Sequence, residues 1–296
     1  MGQEAVLKEK KVHSIHKVGI MDIVLWLIMI FVILITLYPM LVMLAGSFSG
    51  SSAVMRGEVT IIPKEFTLEN YKIVFSMERL WPSYLNTIIY TVVGTVVGVV
   101  VTAMTAYPLS KRRFVGRRVF NVLIMFTMLF NGGLIPTYLV VANLLHMNNS
   151  IWAIVLPGCC GAWYVILART FFESIPESLE ESAKIDGAND FTILWKIILP
   201  LSAPIMATLA MYYAVAQWNN FMGPLIYLRD EAKYPLALFM REVLIQNEGA
   251  VGSGQIASST VKNYTCIIVT SLPIICVYPF IQKYFTQGMM VGAVKG

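Results

Sequence analysis

Residues 180–200 read EESAKIDGANDFTILWKIILP. Charge, turn formers and a helix breaker stand together in this stretch, between two long apolar runs. Just upstream, Ser174 followed by Glu177 fits a capping box, with Pro176 in the first turn. Ile175, Leu179 and Ala183 then recur at four-residue spacing and form one apolar stripe. Gly187 is placed to end this helix as a left-handed C-cap. Asp190 is placed to cap a second helix, which runs through FTILWKIIL to Pro200. The spacing therefore predicts a short helix, a sharp joint at Gly187 and a second helix leading into an apolar run. Glu177 and Glu181 lie four apart on one face and repel, whereas Glu180 has Lys184 as its neighbour one turn on. An acidic amphipathic helix of this kind suits a basic groove on another protein. It is equally compatible with a solvated surface loop.

The chain around this stretch is greasy. Of its 296 residues 57% are hydrophobic and 13% charged, and its mean hydropathy is +0.69. A soluble domain carries about a quarter charged residues, so the fold class is an all-α integral membrane protein. Six apolar segments, 23–46, 84–110, 119–143, 151–171, 201–228 and 263–286, are each long enough to cross about 30 Å of hydrocarbon. The first is preceded by a polar, basic stretch and followed by more spans, which marks it as a retained helix and not a cleaved signal. Basic residues cluster in the N-terminal tail (Lys8, Lys10, Lys11, Lys17), in KRRFVGRR at 111–118, and around 173–200. The positive-inside rule then puts both termini and those two loops in the cytoplasm and the connections 47–83 and 229–262 outside. The organisation expected is a tail over 1–20 and a six-helix transmembrane domain over 21–296. The net charge of +5 is ordinary for a membrane protein and gives no reason to invoke nucleic acid. Cys159, Cys160, Cys266 and Cys276 follow no zinc or redox spacing and read as small buried hydrophobes.

What is missing narrows the function. No Asp, Glu, Lys or Arg lies deep within a span, where ion- and proton-coupled carriers place theirs. There is no Gly-Lys-Ser/Thr loop, so the chain binds no ATP in the P-loop manner. No metal site and no catalytic Ser/His/Asp set is legible. Such a protein is either a passive pore or a subunit driven by another protein. Span 2 carries a small-xxx-small pair, Gly94 and Gly98, which predicts a close helix contact. Span 3 is interrupted at FNGGLIP (130–136), a break suited to lining a cavity. The run AVAQWNNF places Gln217, Trp218, Asn219 and Asn220 on span 5, costly in lipid unless they face a path or a partner helix. Asn131 and the pair Trp163 and Tyr164 are similar, and for each of these, bonding between helices is as good an account as a solute path.

The stretch resembles a known family. Glu181-Ser182-Ala183, three residues, Gly187, nine residues, then Ile197-x-Leu199-Pro200 is similar to the EAA loop of permease subunits of bacterial ABC importers, with Ser182 in place of the first Ala. FTLENYKIVF (66–75), NGGLIPT (131–137), the Tyr213 to Asn219 run and QGMMVGAVKG (287–296) also look like carbohydrate-class permeases, most like the second permease of maltose-type systems. The resemblance implies the type I ABC importer permease fold in the bacterial cytoplasmic (inner) membrane. It implies that Glu177, Glu180, Glu181, Ser182, Ala183, Asp186, Gly187, Ala188, Leu199 and Pro200 form the part that couples to an ATPase. It further implies a second, non-identical permease, two ATP-binding cassette subunits that hold the ATP and Mg, and an extracellular or periplasmic solute-binding protein delivering an oligosaccharide. PLALFMREVL (235–244) is a candidate contact for that protein, and the tail from Gly292 to Gly296 for the ATPase side. A non-sugar importer, for a peptide or phosphonate, and a passive channel or scaffold subunit are the competing readings.

Overall fold

In the hydrocarbon core no water is present to bond backbone groups, so a chain of this composition must pair them within helices. The computed structural model describes residues 19–249 and 256–293, and among the described residues every regular element is helical. The basic tail, residues 250–255 of the long connection, and residues 294–296 of the C-terminal tail lie outside them. Helices α1 (Ile20–Ser47), α2 (Ser51–Met55) and α3 (Glu69–Phe75) precede the long α4 (Leu80–Ser110). Next come α5 (Arg117–Leu129) and α6 (Leu134–Tyr138), the latter continued by π turns over Leu139–Leu144. Helix α7 (Ile151–Val155) passes through a 3-10 turn, Leu156–Gly158, before α8 (Ala162–Phe172). The opening stretch folds as α9 (Glu177–Ile185), α10 (Asp190–Ile193), π turns over Leu194–Ile198 and α11 (Leu199–Leu201). Helices α12 (Ala203–Trp218), α13 (Met222–Tyr227), α14 (Leu236–Gly249) and α15 (Ile256–Ala293) complete the chain.

Among the described residues three helices are long and apolar enough to cross a membrane unaided: α1, α4 and residues 259–277 of α15. Three more crossings arise only if bent pairs are counted once each. Arg117–Leu129 with Leu134–Leu144 bends by 115°, Ile151–Gly158 with Ala162–Phe172 by 54°, and Asp190–Leu201 with Ala203–Trp218 by 87°. The first bend is the one expected at FNGGLIP. Gly133 adopts φ +86°, open to glycine at no steric cost, and its N–H donates to Asn131 Oδ1 at 2.9 Å. At the second bend the freed backbone is satisfied by a neighbouring helix: the Tyr213 hydroxyl accepts from Gly161 N–H at 3.3 Å and donates to the Cys159 carbonyl at 3.2 Å. The fifth segment departs from its expected 201–228 limits. Its straight part ends at Trp218, and α13 is a separate short helix. Hydropathy carried through the polar Asn219-Asn220 step, where the helix stops.

Helix α4 is the central strut. Helix α12 lies along it where Gly94 and Gly98 face Gln217 and Tyr213, and a Cβ on either glycine would fall 2.7 Å from the facing side chain. The small-xxx-small pair thus does what its spacing predicts. Two separate clusters pack at the two ends of α4. At one end, Ala103, Ala106, Tyr107 and Leu109 meet Phe172 of α8, Ile193 of α10 and Leu209 of α12. At the other, Leu80 meets Val74, Phe239 and Val269. Helix α1 is bare from residue 20 to residue 41 and touches the body through its last turn, where Gly46 lies under the Tyr264 ring. Helix α5 buries no residue at all. Of the cysteines only Cys266 is fully buried, while Cys160 and Cys276 are exposed. The expectation of four buried cysteines fails because Cys160 sits in the bend before α8 and Cys276 on a face of α15, neither covered by this chain alone.

Candidate functional site

The joint at Gly187 is built as the sequence predicts. Gly187 has φ +80°, and two bonds close the helix end: Ala188 N–H to the Ala183 carbonyl at 2.9 Å and Gly187 N–H to the Lys184 carbonyl at 3.0 Å. This is the Schellman arrangement. The N-terminal caps are different from those expected. Pro176 disfavours helical geometry at the preceding residue, so α9 starts at Glu177 with Pro176 as its cap, and no capping box forms. The Ser174 hydroxyl instead donates back to the Phe171 carbonyl at 2.6 Å. At the second helix Asn189, not Asp190, takes the cap, its Oδ1 accepting from Thr192 N–H at 2.8 Å. Asp190 falls in the first turn and is free to pair.

That start sets the rotational phase of α9. Ile175 and Ala183 pack on the core as expected, but Leu179 is exposed, and the side chain facing inward is Glu180, at 3% exposure. The expected Glu180–Lys184 pair is absent. Glu180 is paired with Lys111, itself buried at the C-terminal end of α4, and accepts a long hydrogen bond of 3.4 Å from the Tyr107 hydroxyl. Lys184 pairs with Asp190 at 3.6 Å, and Arg113 reaches the same carboxylate at 2.5 Å. Arg117 pairs with Glu173 and donates from Nε to the Leu109 carbonyl at 2.8 Å. Arg169 adds a second partner to Glu173 at 3.5 Å. The KRRFVGRR loop is therefore more than an orientation signal: its cations fasten the whole 173–190 segment to α4. The face left outward carries Glu177, Ser178, Leu179, Glu181, Ser182 and Ile185, the last 87% exposed. Glu181 has no basic partner among the described residues. This exposed surface interleaves carboxylates with bare aliphatic groups, offering charge and apolar area side by side.

The residues read as a solute path divide in two. Asn131, Tyr164, Gln217 and Asn220 line one cavity of about 470 Å³, together with Tyr213 and Tyr227. Among the described residues no charged side chain lines it. Tyr164 stacks on Tyr212 at 5.7 Å and meets Tyr213 edge-on at 4.7 Å between ring centroids. Amides and phenols beside aromatic faces suit a hydroxyl-rich solute. Trp218 and Asn219 instead line a second cavity of about 590 Å³, with Met240, Arg241 and Thr270. Trp163 is 56% exposed and lines neither. The split follows from helix phase at Gln217 and Trp218, which point about 100° apart, and from the chain leaving the helix at Asn219 and Asn220. Tyr213 is the residue the sequence reading passed over: it lies one turn before Gln217, on the same face, and opposite Gly98. That spacing was a usable signal. A third cleft, of about 710 Å³, lies beside α9 and is lined by Lys111, Arg112, Arg117, Glu173 and Glu177.

Known proteins match this arrangement over nearly its full length. The model of the family described as binding-protein-dependent transport system inner membrane component matches residues 19–291. The chain is 39% identical over 281 residues to the polygalacturonan/rhamnogalacturonan transport system permease protein YtcP of Bacillus subtilis (strain 168), covering 93% of this chain and 98% of the relative. It is 41% identical over 267 residues to protein LplC of the same organism, covering 88% and 90% respectively. A solved chain from a bacterial ABC transporter involved in the import of the acidic polysaccharide alginate superposes with a TM-score of 0.83 at 36% identity, covering 91% of this chain and 98% of that one. A passive pore or an unrelated scaffold is thereby set aside. The chain belongs to the family of binding-protein-dependent transport system inner membrane components, as the membrane-spanning permease subunit of an ABC importer and not as its ATPase.

Proposed function

We propose that this permease takes up an oligosaccharide, handed over by a solute-binding protein, and that α9 docks in a cleft of a cytoplasmic ATPase subunit. The observation that carries the docking half is the outward face of α9, acidic and aliphatic at once, held at a fixed angle by the Gly187 joint. Glu177, Glu181, Ser182 and Ile185 make the contact, while Ala183, Gly187, Ala188, Leu199 and Pro200 set the angle. ATP and Mg belong to two such ATPase subunits. Both termini and the loops 111–118 and 173–200 are cytoplasmic, on the positive-inside argument. A second, non-identical permease covers part of the bare length of α1 and α5, and lipid covers the rest. Residues 235–244 lie at the opposite end and meet the solute-binding protein.

The cargo reading rests on two supports. The relatives named above include a polygalacturonan/rhamnogalacturonan transport system permease protein and a chain of an ABC transporter involved in alginate import. The 470 Å³ cavity offers Asn131, Gln217 and Asn220 amides beside tyrosine faces and no charge. A uronide carboxylate then finds its countercharge on the other permease or on the binding protein. The test is uptake of labelled oligogalacturonides by liposomes holding the full complex. ATP-dependent accumulation is expected, lost in Gln217→Leu and in Glu181→Lys. Uptake of peptides or phosphonates in preference to sugars overturns the cargo, and ATP-independent leakage overturns the mechanism.

A further inference from the structure

The feature left unused so far is the ion pair between Lys111 and Glu180. Both side chains are almost wholly buried, at 9% and 4% exposure. Long flexible cations and carboxylates are rarely buried in this way, because leaving water is costly and is offset only by close pairing. Here the pair is further supported. The Lys111 ammonium lies 5.1 Å from the centre of the Tyr107 ring, within cation–π range. The Tyr107 hydroxyl also donates to Glu180. Each charge sits at the helix end that suits it: Lys111 caps the C-terminus of α4 and Glu180 lies in the first turn of α9. Helix α4 in turn touches the cavity through Gly94 against Gln217 and Gly98 against Tyr213. The pair thus joins the middle of the docking helix to the span that packs directly against the cavity residues Gln217 and Tyr213.

We propose that Lys111 and Glu180 are positioning residues that make α9 and α4 a single rigid lever, so that displacement of α9 by the ATPase arrives undiminished at Tyr213 and Gln217. This rests on the docking role of α9 given above. The neighbouring pairs of Arg113, Lys184 and Asp190 are exposed, screened by water and salt, and hold the loop more loosely. The Arg117–Glu173 pair ties the end of α8 to the start of α5, with Arg117 also bonded to the Leu109 carbonyl of α4, and leaves α9 out. Among the ion pairs of the described residues, the buried one alone crosses directly between the outward-facing helix and the span.

Spin labels at Ser178 on α9 and Val115 beyond α4, in a chain whose exposed cysteines are replaced, read the lever directly. In the full complex the label-to-label distance is expected to stay constant, to about 2 Å, between nucleotide-free and ATP-bound states, while the spans rearrange on the usual microsecond-to-second scale. A change of about 5 Å or more in the unsubstituted pair overturns the proposal without any variant of Lys111 or Glu180. In Lys111→Met the distance is expected to become nucleotide-dependent and broad. Sugar transported per ATP hydrolysed is expected to fall about tenfold, within the common range of coupling between sites, with the ATPase subunits still co-purifying. Should the lone buried carboxylate prevent folding, the double variant Lys111→Met/Glu180→Leu removes both charges and keeps the site apolar. It is expected to fold and to show the same loss, and unchanged transport per ATP in either variant overturns the proposal. Failure of the docking role is distinguishable, since then Glu181→Lys leaves ATPase co-purification intact.

Discussion

Substituting Gly187 tests whether the angle between α9 and α10 matters. At φ +80° an L-residue costs about 1–2 kcal/mol more than glycine. A Cβ added there meets nothing within 4 Å, so no clash adds to that cost in Gly187→Ala. The chain can escape the strain only by giving up the bonds from Ala188 to Ala183 and from Gly187 to Lys184, each contributing about 0.5–1.5 kcal/mol. The two costs are comparable, so the penalty is about 1–2 kcal/mol whichever way the joint relaxes, a shift of about 5- to 30-fold in its local equilibrium. Amide exchange at residues 187 and 188 should accelerate by that factor in Gly187→Ala, with the spans unaffected. Gly187→Asn should lie between Ala and wild type, because Asn tolerates the left-handed region, and Gly187→Val should be worst, because branching at Cβ narrows the backbone further. Transport should follow the same order. Equal exchange in all four proteins, or a Val variant milder than Ala, refutes the reasoning.

Further outcomes follow from named contacts. In Gly98→Ala the new Cβ falls 2.7 Å from the buried Tyr213 ring, and thermal unfolding in detergent should register about 1–3 kcal/mol of overpacking. Gly132→Ala, with open space around it, should register almost none. Tyr213→Phe keeps the ring but leaves Gly161 N–H and the Cys159 carbonyl unpartnered, which should cost about 1–3 kcal/mol in the same assay. In the 50–65 connection, the Arg56 guanidinium holds the Glu58 carboxyl below its usual range, and the Ser52 hydroxyl followed by Arg56 does so for Glu65. Depressed carboxylates contribute above their unfolded value, near about 4.3, and lose the contribution as pH falls through the folded one. Protease nicking of that connection should therefore rise on acidification toward pH 3 and respond to salt; nicking that ignores both speaks against the pairing.

How much of this was legible depended on the range of the signal. Hydropathy was legible in α1, α4 and α15, because spanning demands a long apolar run whatever the packing, whereas the three bent pairs break within the segments it marks. Gly187 and the Gly94/Gly98 pair were legible because each solves a local steric problem that only glycine solves there. The break at FNGGLIP was legible for the same reason. The inward turn of Glu180 was not. It depends on α9 beginning at Glu177, and moving a helix start by a residue rotates every side chain by about 100°. Apolar spacing favoured Leu179 as the core residue, whereas the core offered Glu180 a cation from a loop some 70 residues away. The Asn189 cap was a one-residue ambiguity between two good cap formers. The division of Gln217 and Asn220 from Trp218 and Asn219 was hidden because a polar cluster in sequence is not a cluster around a helix.

The central claim is that the outward face of α9 meets an ATPase. The most direct measurement is maleimide labelling of Ile185→Cys, which replaces a side chain 87% exposed on that face, in a chain whose native exposed cysteines are removed. Val115→Cys, at a position 90% exposed on the neighbouring loop, serves as the control. With the ATPase subunits present, the account predicts that position 185 becomes protected while position 115 labels at a similar rate to before. Equal labelling of position 185 with and without the ATPase contradicts it.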